Sequence, residues 1–356
     1  MDLTRLQGRR VLLTGHTGFK GGWMAHWLAA LGADVVGVAL DPEDPRGIWQ
    51  AARLDDLIDS RIADIRDADA LNAAVRDVDA DLVIHMAAQP LVRASYARPV
   101  ETFATNVMGT AHVLEAARRM PSLKGVIVVT SDKCYDNREW LWGYRENDPL
   151  GGKDPYSASK GCTEILAASW RHAFFSDPTG PQLATVRAGN VIGGGDWSAD
   201  RLIPDFVRAA QASAPMRIRC PQAIRPWQHV LEPLAGYLAL ANRLLGPDAA
   251  EAAEAWNFGP DPGGVATVEA VCAQLARTWP EGQAEIIVER SNDDPPEAGL
   301  LRLDSTKAAT RLGWRPCLDL GRTLEMTADW YLAQAEGADM RAVGEHQLST
   351  YRGLAA

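Results

Sequence analysis

Hydrophobic positions follow two alternating rhythms along the first half of this chain. Short runs that are apolar throughout (Arg10 to Leu13, Asp34 to Leu40, Asp81 to His85, Gly125 to Thr130, Gln182 to Arg187) have the length and pattern of strands buried on both faces. Ile62 to Arg66 is a shorter candidate strand. Between these runs, apolar residues recur at helical spacing. Met24, Trp27, Leu28 and Leu31 form one such face, with Gly32 as its stop. Ile48 to Leu57, Ala68 to Val78, Val100 to Met120 and Ser157 to Phe174 form the others. Strand then helix, repeated, predicts an α/β fold built on a doubly wound parallel sheet covered on both faces.

The rhythm breaks after Arg187. Gly193 to Gly195 opens a loop, followed by a helix from Leu202 to Ala212 and a strand from Met216 to Arg219. A long helix spans His229 to Leu245, and Pro260 to Gly264 is a turn. Then come a helix from Thr267 to Thr278, a strand from Ala284 to Glu289, and helices Ser305 to Leu312 and Leu320 to Ala335. The expected organisation is a sheet domain over residues 1–189, with part of 225–260 packed on it. A smaller mixed α/β lobe over 190–340 is interleaved with it, and 341–356 is a tail.

The first strand runs into Gly15, Gly18 and Gly21, and a helix follows. Glycines permit a sharp turn and a close backbone approach to phosphate, and a helix N-terminus offers free N–H groups. This is the layout of a Rossmann-type pyrophosphate site, although G-x-x-G-x-x-G departs by one position from G-x-G-x-x-G. An ordinary tight turn between strand and helix is the alternative. Gly15, Thr17, Gly18, Phe19, Lys20 and Gly21 are the candidate cradle. The second strand ends at Asp41, where an acid would face an adenosine ribose and favour NAD over NADP; it could equally start a loop.

Composition narrows the class. The 356 residues are 47% hydrophobic with a net charge of −10, so neither a nucleic-acid surface nor an anionic membrane is an expected partner. Neither a membrane span nor a signal peptide fits the sequence. Cys134, Cys162, Cys220, Cys272 and Cys317 lack metal-type spacing; they read as free thiols in a reducing cytoplasm, and no metal site is expected.

Tyr156 and Lys160 stand four apart at the start of a helix and share one face. A phenol titrates near 10 and is a poor base at neutral pH. A neighbouring ammonium and a nicotinium ring would lower it, so that Tyr156 could take the proton of a sugar hydroxyl. An exposed helix face is the plainer reading. Ser131-Asp132-Lys133 lies at the carboxyl end of the strongest strand, where open α/β sheets place active-site groups. Asp132 suits a general acid; Lys133 could be a base if its pKa were depressed.

These features resemble the extended short-chain dehydrogenase/reductase family. Longer runs are similar to its CDP-glucose 4,6-dehydratase branch: residues 85–93, 131–137, 139–146, 186–197 and 224–230. The resemblance implies a bound NAD that oxidises C4 of the glucosyl unit, loss of water across C5–C6, and return of the same hydride to C6. It places Tyr156 as C4 base, Lys160 as its partner, Ser131 as hydroxyl support, Asp132 as acid for the C6 hydroxyl and Lys133 near C5. The dTDP-glucose branch has Asp-Glu where this chain has Asp132-Lys133, so the C5 base stays open. Asp64 and Ile65 would border adenine, Ala87 and Ala88 would pack on the cofactor, and Asn106 would lie beside the nicotinamide. Asn190, Arg201 and Arg225 would meet the substrate diphosphate. His85 reads as a packed histidine, and Trp140 and Trp142 either roof the site or join the core. Helices Val100 to Met120 and Ser157 to Phe174 resemble the pair that forms a homodimer, or a dimer of dimers. A 4-epimerase would share Tyr156 and Lys160 but needs no acid after the strand; a silent NAD-binding protein needs none of the three.

Overall fold

The computed structural model describes residues 2–261, 264–279, 285–288 and 299–355. Seven parallel strands form the central sheet: β1 (Arg10–Thr14), β2 (Asp34–Ala39), β3 (Asp59–Ile62), β4 (Leu82–His85), β5 (Gly125–Val129), β6 (Gln182–Arg187) and β7 (Ala255–Asn257). Their spatial order is β7-β6-β5-β4-β1-β2-β3. From β1 the chain builds outward to β3, then crosses back to start β4 on the other side of β1, with Thr14 opposite His85. That reversal opens a crevice at the carboxyl ends of β1 and β4, where such sheets take ligands.

Successive side chains of a strand point to opposite faces, and this sheet buries both. Val11, Leu13, Ile127, Val129, Ala184 and Val186 enter one core; Leu12, Val126, Val128 and Leu183 enter the other. The first core is covered by α1 (Phe19–Ala30), through Trp23, Met24, Trp27 and Leu28. The second is covered by α2 (Gly109–Ala117) and α3 (Pro155–Ala173), through Val113, Leu114 and Ala167. A further helix, α4 (Leu231–Leu244), packs Leu234, Leu238 and Ala241 onto the first face. No helix among the described residues is long and apolar enough to cross a membrane.

Several elements depart from the sequence pattern. The strand expected at Ile62 to Arg66 lies earlier, at Asp59–Ile62, because Asp64 folds back to accept from the Arg66 amide at 2.8 Å. Ile65 then points into the second core, pressed against Gly109, and its carbonyl accepts from His112 Nδ1 at 2.9 Å. The helix expected over Ile48 to Leu57 breaks at Arg53, which has φ of 49°. The run Val100 to Met120 is helical but widens to a π turn at Ala104–Met108 before α2. His229 pairs as a short strand with Ile192, and α4 starts after it. Ile286–Val288 pairs with Met216–Ile218; Ala284 and Glu289, like Pro262 and Gly263 of the expected turn, lie outside the described residues. Strand β7 and the helix Val92–Ala97 carry too few residues to show a period.

Residues 341–356, expected as a tail, instead supply most of a helix, α5 (Met340–Leu354). Its Tyr351 ring meets Trp27 edge-on at 5.6 Å, and Gly344 lets it close on His26. Glu232 of α4 is fully buried and accepts from Tyr351 Oη at 2.8 Å, from the Cys317 amide at 2.8 Å and from the Leu318 amide at 2.7 Å. Glu232→Leu strands the buried Tyr351 hydroxyl, at a cost of about 1–3 kcal/mol, and two half-buried amides besides. We expect the urea midpoint to fall with the m-value unchanged; an unmoved midpoint would show that this clamp carries no weight.

Candidate active site

The glycine turn is built by close approach. Gly15 has φ of 78°, and a Cβ there would lie 2.6 Å from the Ala87 amide nitrogen. A Cβ on Gly21 would overlap the Gly15 carbonyl. These two glycines therefore serve the turn itself. Thr14 Oγ1 accepts from the amides of Met86 at 3.1 Å and Ala87 at 3.2 Å, and is bonded to His85 Nδ1 at 2.7 Å. His85 is a packed core histidine, its Nε2 bonded to Thr110 at 2.9 Å and its pKa lowered by burial to about 3.

Gly18 differs from its two neighbours. It precedes α1 with no side-chain cap, no acid in the first turn, and nothing nearer a would-be Cβ than the Gly15 carbonyl at 3.5 Å. The first amides of α1 thus have no side-chain cap, which fits a diphosphate. Thr17 Oγ1 donates to the Leu40 carbonyl at 2.8 Å and holds the turn to the end of β2, beside exposed Asp41. Phe19 reaches toward Gly193. Asp64 is engaged by Arg66, which holds its carboxyl below the usual range. Ala87 and Ala88 follow β4 at the crevice. Asn106 presents no free amide. Its Oδ1 accepts from the Gln89 amide at 2.8 Å, and its Nδ2 donates to the Gln89 carbonyl at 3.1 Å and Ser159 Oγ at 2.9 Å. It ties the loop after β4 to α3.

Helix α3 begins with Pro155 after Asp154, whose carboxylate caps the Ser157 amide at 2.9 Å. The Tyr156 amide donates to Ser95 Oγ at 3.1 Å, so the unforeseen helix Val92–Ala97 fixes the start of α3. Tyr156 and Lys160 are both buried. Lys160 Nζ donates to the Val129 carbonyl at 3.3 Å, and burial lowers its pKa to about 8. The lowering expected for Tyr156 is outweighed. Burial lifts the phenol to about 12, against the opposing pull of Ser131 and Arg201.

β5 delivers the second group of residues. Ser131 Oγ accepts from the Lys133 amide at 3.2 Å and donates to Asp132 Oδ1 at 2.9 Å. Asp132 Oδ2 is buried without a partner among the described residues. A Cβ on Gly189 would overlap that carboxylate, so the glycine after Ala188 makes room for it. Burial lowers the pKa of Lys133, with Arg225 and Arg201 adding to the effect and Asp132 opposing it. Lys20 leaves the glycine turn to donate to Tyr237 Oη at 3.0 Å; burial, then Lys160 and Arg201, lower it to about 7. Charges on Asp132, Lys160 and Arg201 are felt at Lys20, and those on Asp132 and Arg201 at Tyr156. The structure therefore brings Ser131, Asp132, Lys133, Tyr156, Lys160 and Lys20 into one cluster.

Arg201 lies 3.5 Å from the Pro90 carbonyl, and Arg225 Nη1 donates to the Ile224 carbonyl at 3.0 Å. Asn190 has φ of 45° and accepts from the Gln228 amide at 3.3 Å. Trp140 stacks on Tyr144 at 5.4 Å, whereas Trp142 is 62% exposed. Tyr237 gave no signal in the sequence, lying on an apolar helix. Glu164, four residues past Lys160 and buried on the same face, did carry one that was passed over.

The family model described as GDP-mannose 4,6 dehydratase matches residues 12–327. The chain belongs to this family of 4,6-dehydratases. Within it, the chain is 48% identical over 355 residues to CDP-glucose 4,6-dehydratase of Salmonella typhimurium, covering 99% of this chain and 98% of that one. It is 27% identical to a probable dTDP-glucose 4,6-dehydratase of Sinorhizobium fredii, over 91% of this chain and 93% of that one. The fold is shared with epimerase Mth375 of Methanothermobacter thermautotrophicus (TM-score 0.78, 22% identity, 96% and 97% of the two chains). It is shared too with dTDP-glucose 4,6-dehydratase of Bacillus anthracis (TM-score 0.74, 18% identity, 94% and 100%). In this dehydratase Gly189→Ala must push the Asp132 carboxylate aside. Turnover should drop by about 10²-fold or more while the unfolding transition stays in place; wild-type turnover would mean that the carboxylate's position is unimportant.

Proposed function

We propose that the protein converts CDP-glucose to CDP-4-keto-6-deoxyglucose and water, with NAD as a returning cofactor. The observation that carries this reading is the convergence of the Tyr156–Lys160 face and the Ser131–Lys133 turn on one buried cluster beside the bare N-terminus of α1. The likeness to the Salmonella enzyme along the whole chain supports the choice of CDP-glucose.

The residues present suit NAD. The uncapped amides at Phe19 to Gly21 would take its diphosphate, Asp41 a ribose hydroxyl, Asp64 and Ile65 the adenine edge. Lys160, with one acceptor at Val129, has donors left for the second ribose. Bound NAD supplies the oxidant for C4 and the reductant for C6. Tyr156, steadied by Ser131, accepts the proton of the C4 hydroxyl. The Lys160 ammonium stabilises the phenolate that takes up this proton and becomes the phenol, and nicotinium charge would act in the same sense, against the burial that lifts the phenol. A ketone at C4 makes the C5 proton acidic. Lys133, its pKa depressed by burial, removes that proton, and Asp132 protonates the departing C6 hydroxyl. Asn190, Arg201 and Arg225 would bind the substrate diphosphate, a role suited to forked guanidinium donors.

Val100, Met108 and Ile165 are 81%, 54% and 61% exposed along the helical run before α2 and on α3. They support a homodimer formed through these helices, and free cysteines in the chain support a cytoplasmic setting. Substituting all three by glutamate should give a monomer by analytical ultracentrifugation; an unchanged mass would place the interface elsewhere.

Purified protein given CDP-glucose should yield a 4-keto product that absorbs in alkali, with no NADH accumulating. Asp132→Asn should retain C4 oxidation and slow elimination by about 10²–10⁴-fold. Recovery of CDP-galactose would replace this reading with an epimerase, and unreacted substrate with tightly bound NAD with a silent binder. Equal loss of both steps in Asp132→Asn would overturn the acid role.

A further inference from the structure

One turn along α3 from Lys160, Glu164 pairs with Arg187 of β6; their side chains are 3% and 4% exposed. The reaction drawn above uses neither. Two full charges held this far from water are costly to bury, and well-packed apolar residues often replace such a pair without loss of stability. Its geometry therefore calls for another reason.

Glu164 is fully satisfied. Oε1 accepts from Arg187 Nε at 2.9 Å and Thr130 Oγ1 at 2.5 Å; Oε2 accepts from Arg187 Nη2 and Thr185 Oγ1, each at 2.8 Å. The third guanidinium nitrogen, Nη1, donates onward to Tyr135 Oη at 2.7 Å and the Glu146 carbonyl at 3.0 Å. Tyr135 Oη donates in turn to Asn257 Oδ1 of β7 at 2.7 Å. Thr130 is the residue before Ser131, and Tyr135 follows Cys134. The short turn that presents Asp132 and Lys133 is thus gripped at both ends by the ion pair that also holds the Lys160 helix.

Charge is the second link. Lys160 is faced by Glu164 from its own helix, Lys20 from the glycine turn, His85 from β4 and Cys134 from the turn after β5. Burial keeps His85 uncharged at neutral pH and raises the Cys134 thiol well above its ordinary value. Glu164 is the negative charge that supports the ammonium form of Lys160 against burial.

We propose that Glu164 and Arg187 are positioning residues for the dehydration: their forked pair holds the Tyr156–Lys160 face in register with the Ser131–Lys133 turn. The proposal rests on the function assigned above. It is tested with Glu164→Gln, which keeps the shape and loses the charge, and Arg187→Lys, which keeps the charge and loses the fork. Glu164→Gln/Arg187→Met removes both charges, so that no buried ion is left alone should a single variant fail to fold.

In Glu164→Gln the Lys160 ε-carbon, followed by NMR, should titrate at least about one pH unit lower. The alkaline limb of kcat/KM should move the same way. Arg187→Lys should leave that titration near wild type yet lower kcat by about 10²-fold with KM for CDP-glucose unchanged. The double variant should fold and remain slow. Wild-type kcat in the folded double variant, or an unmoved Lys160 titration in Glu164→Gln, would overturn the proposal. If wild-type protein is inert toward CDP-glucose while the Lys160 titration still shifts, the assigned reaction falls and the hold on Lys160 stands.

Discussion

Thr14 Oγ1 is the junction on which the site depends. One hydroxyl, at the end of β1, bonds to His85 across the sheet and receives the next two amides of the β4 chain. The phosphate-side turn and the loop after β4 are thereby fixed to each other before any ligand arrives. Gly15 follows directly, with Ala87 too close to tolerate a side chain. The crevice at the sheet's reversal point is therefore a defined shape, set by backbone contacts.

Desolvation is the dominant force on the groups inside that crevice. It is the largest influence on Tyr156, Lys20, Lys133 and Lys160, ahead of any single charge. For the lysines its direction is useful, since an amine with a lowered pKa can exchange protons near neutrality. For the tyrosine it is adverse, because burial favours the neutral phenol. The Ser131 hydroxyl and the Arg201 guanidinium oppose that cost, while Asp132 and Asp154 add to it.

Much of the sheet was legible because its strands are buried on both faces, a pattern that length and apolar continuity reveal. β3 was misplaced since it is an edge strand with mostly exposed residues, so the apolar residue Ile65 beyond it drew the reading forward. β7 is three residues long and pairs with β6 from far along the chain. The Tyr156–Lys160 pair and the Ser131–Lys133 turn were legible from spacing and from position at a strand end. Arg187 and Tyr237 were not. Their partners come from other elements, and an arginine ending a strand or a tyrosine on an apolar helix looks the same whether or not it meets one.

Strand β7 also fixes how the later part of the chain joins the sheet. The sheet stays unfinished until residues 188–254 have been laid down, and α4, in the same excursion, closes the first core. The chain leaves the sheet after β6, returns as β7 and leaves it again after Asn257, so three covalent crossings join the sheet to the rest of the chain. A fragment ending at Arg187 would therefore lack both an edge strand and one wall of the first core.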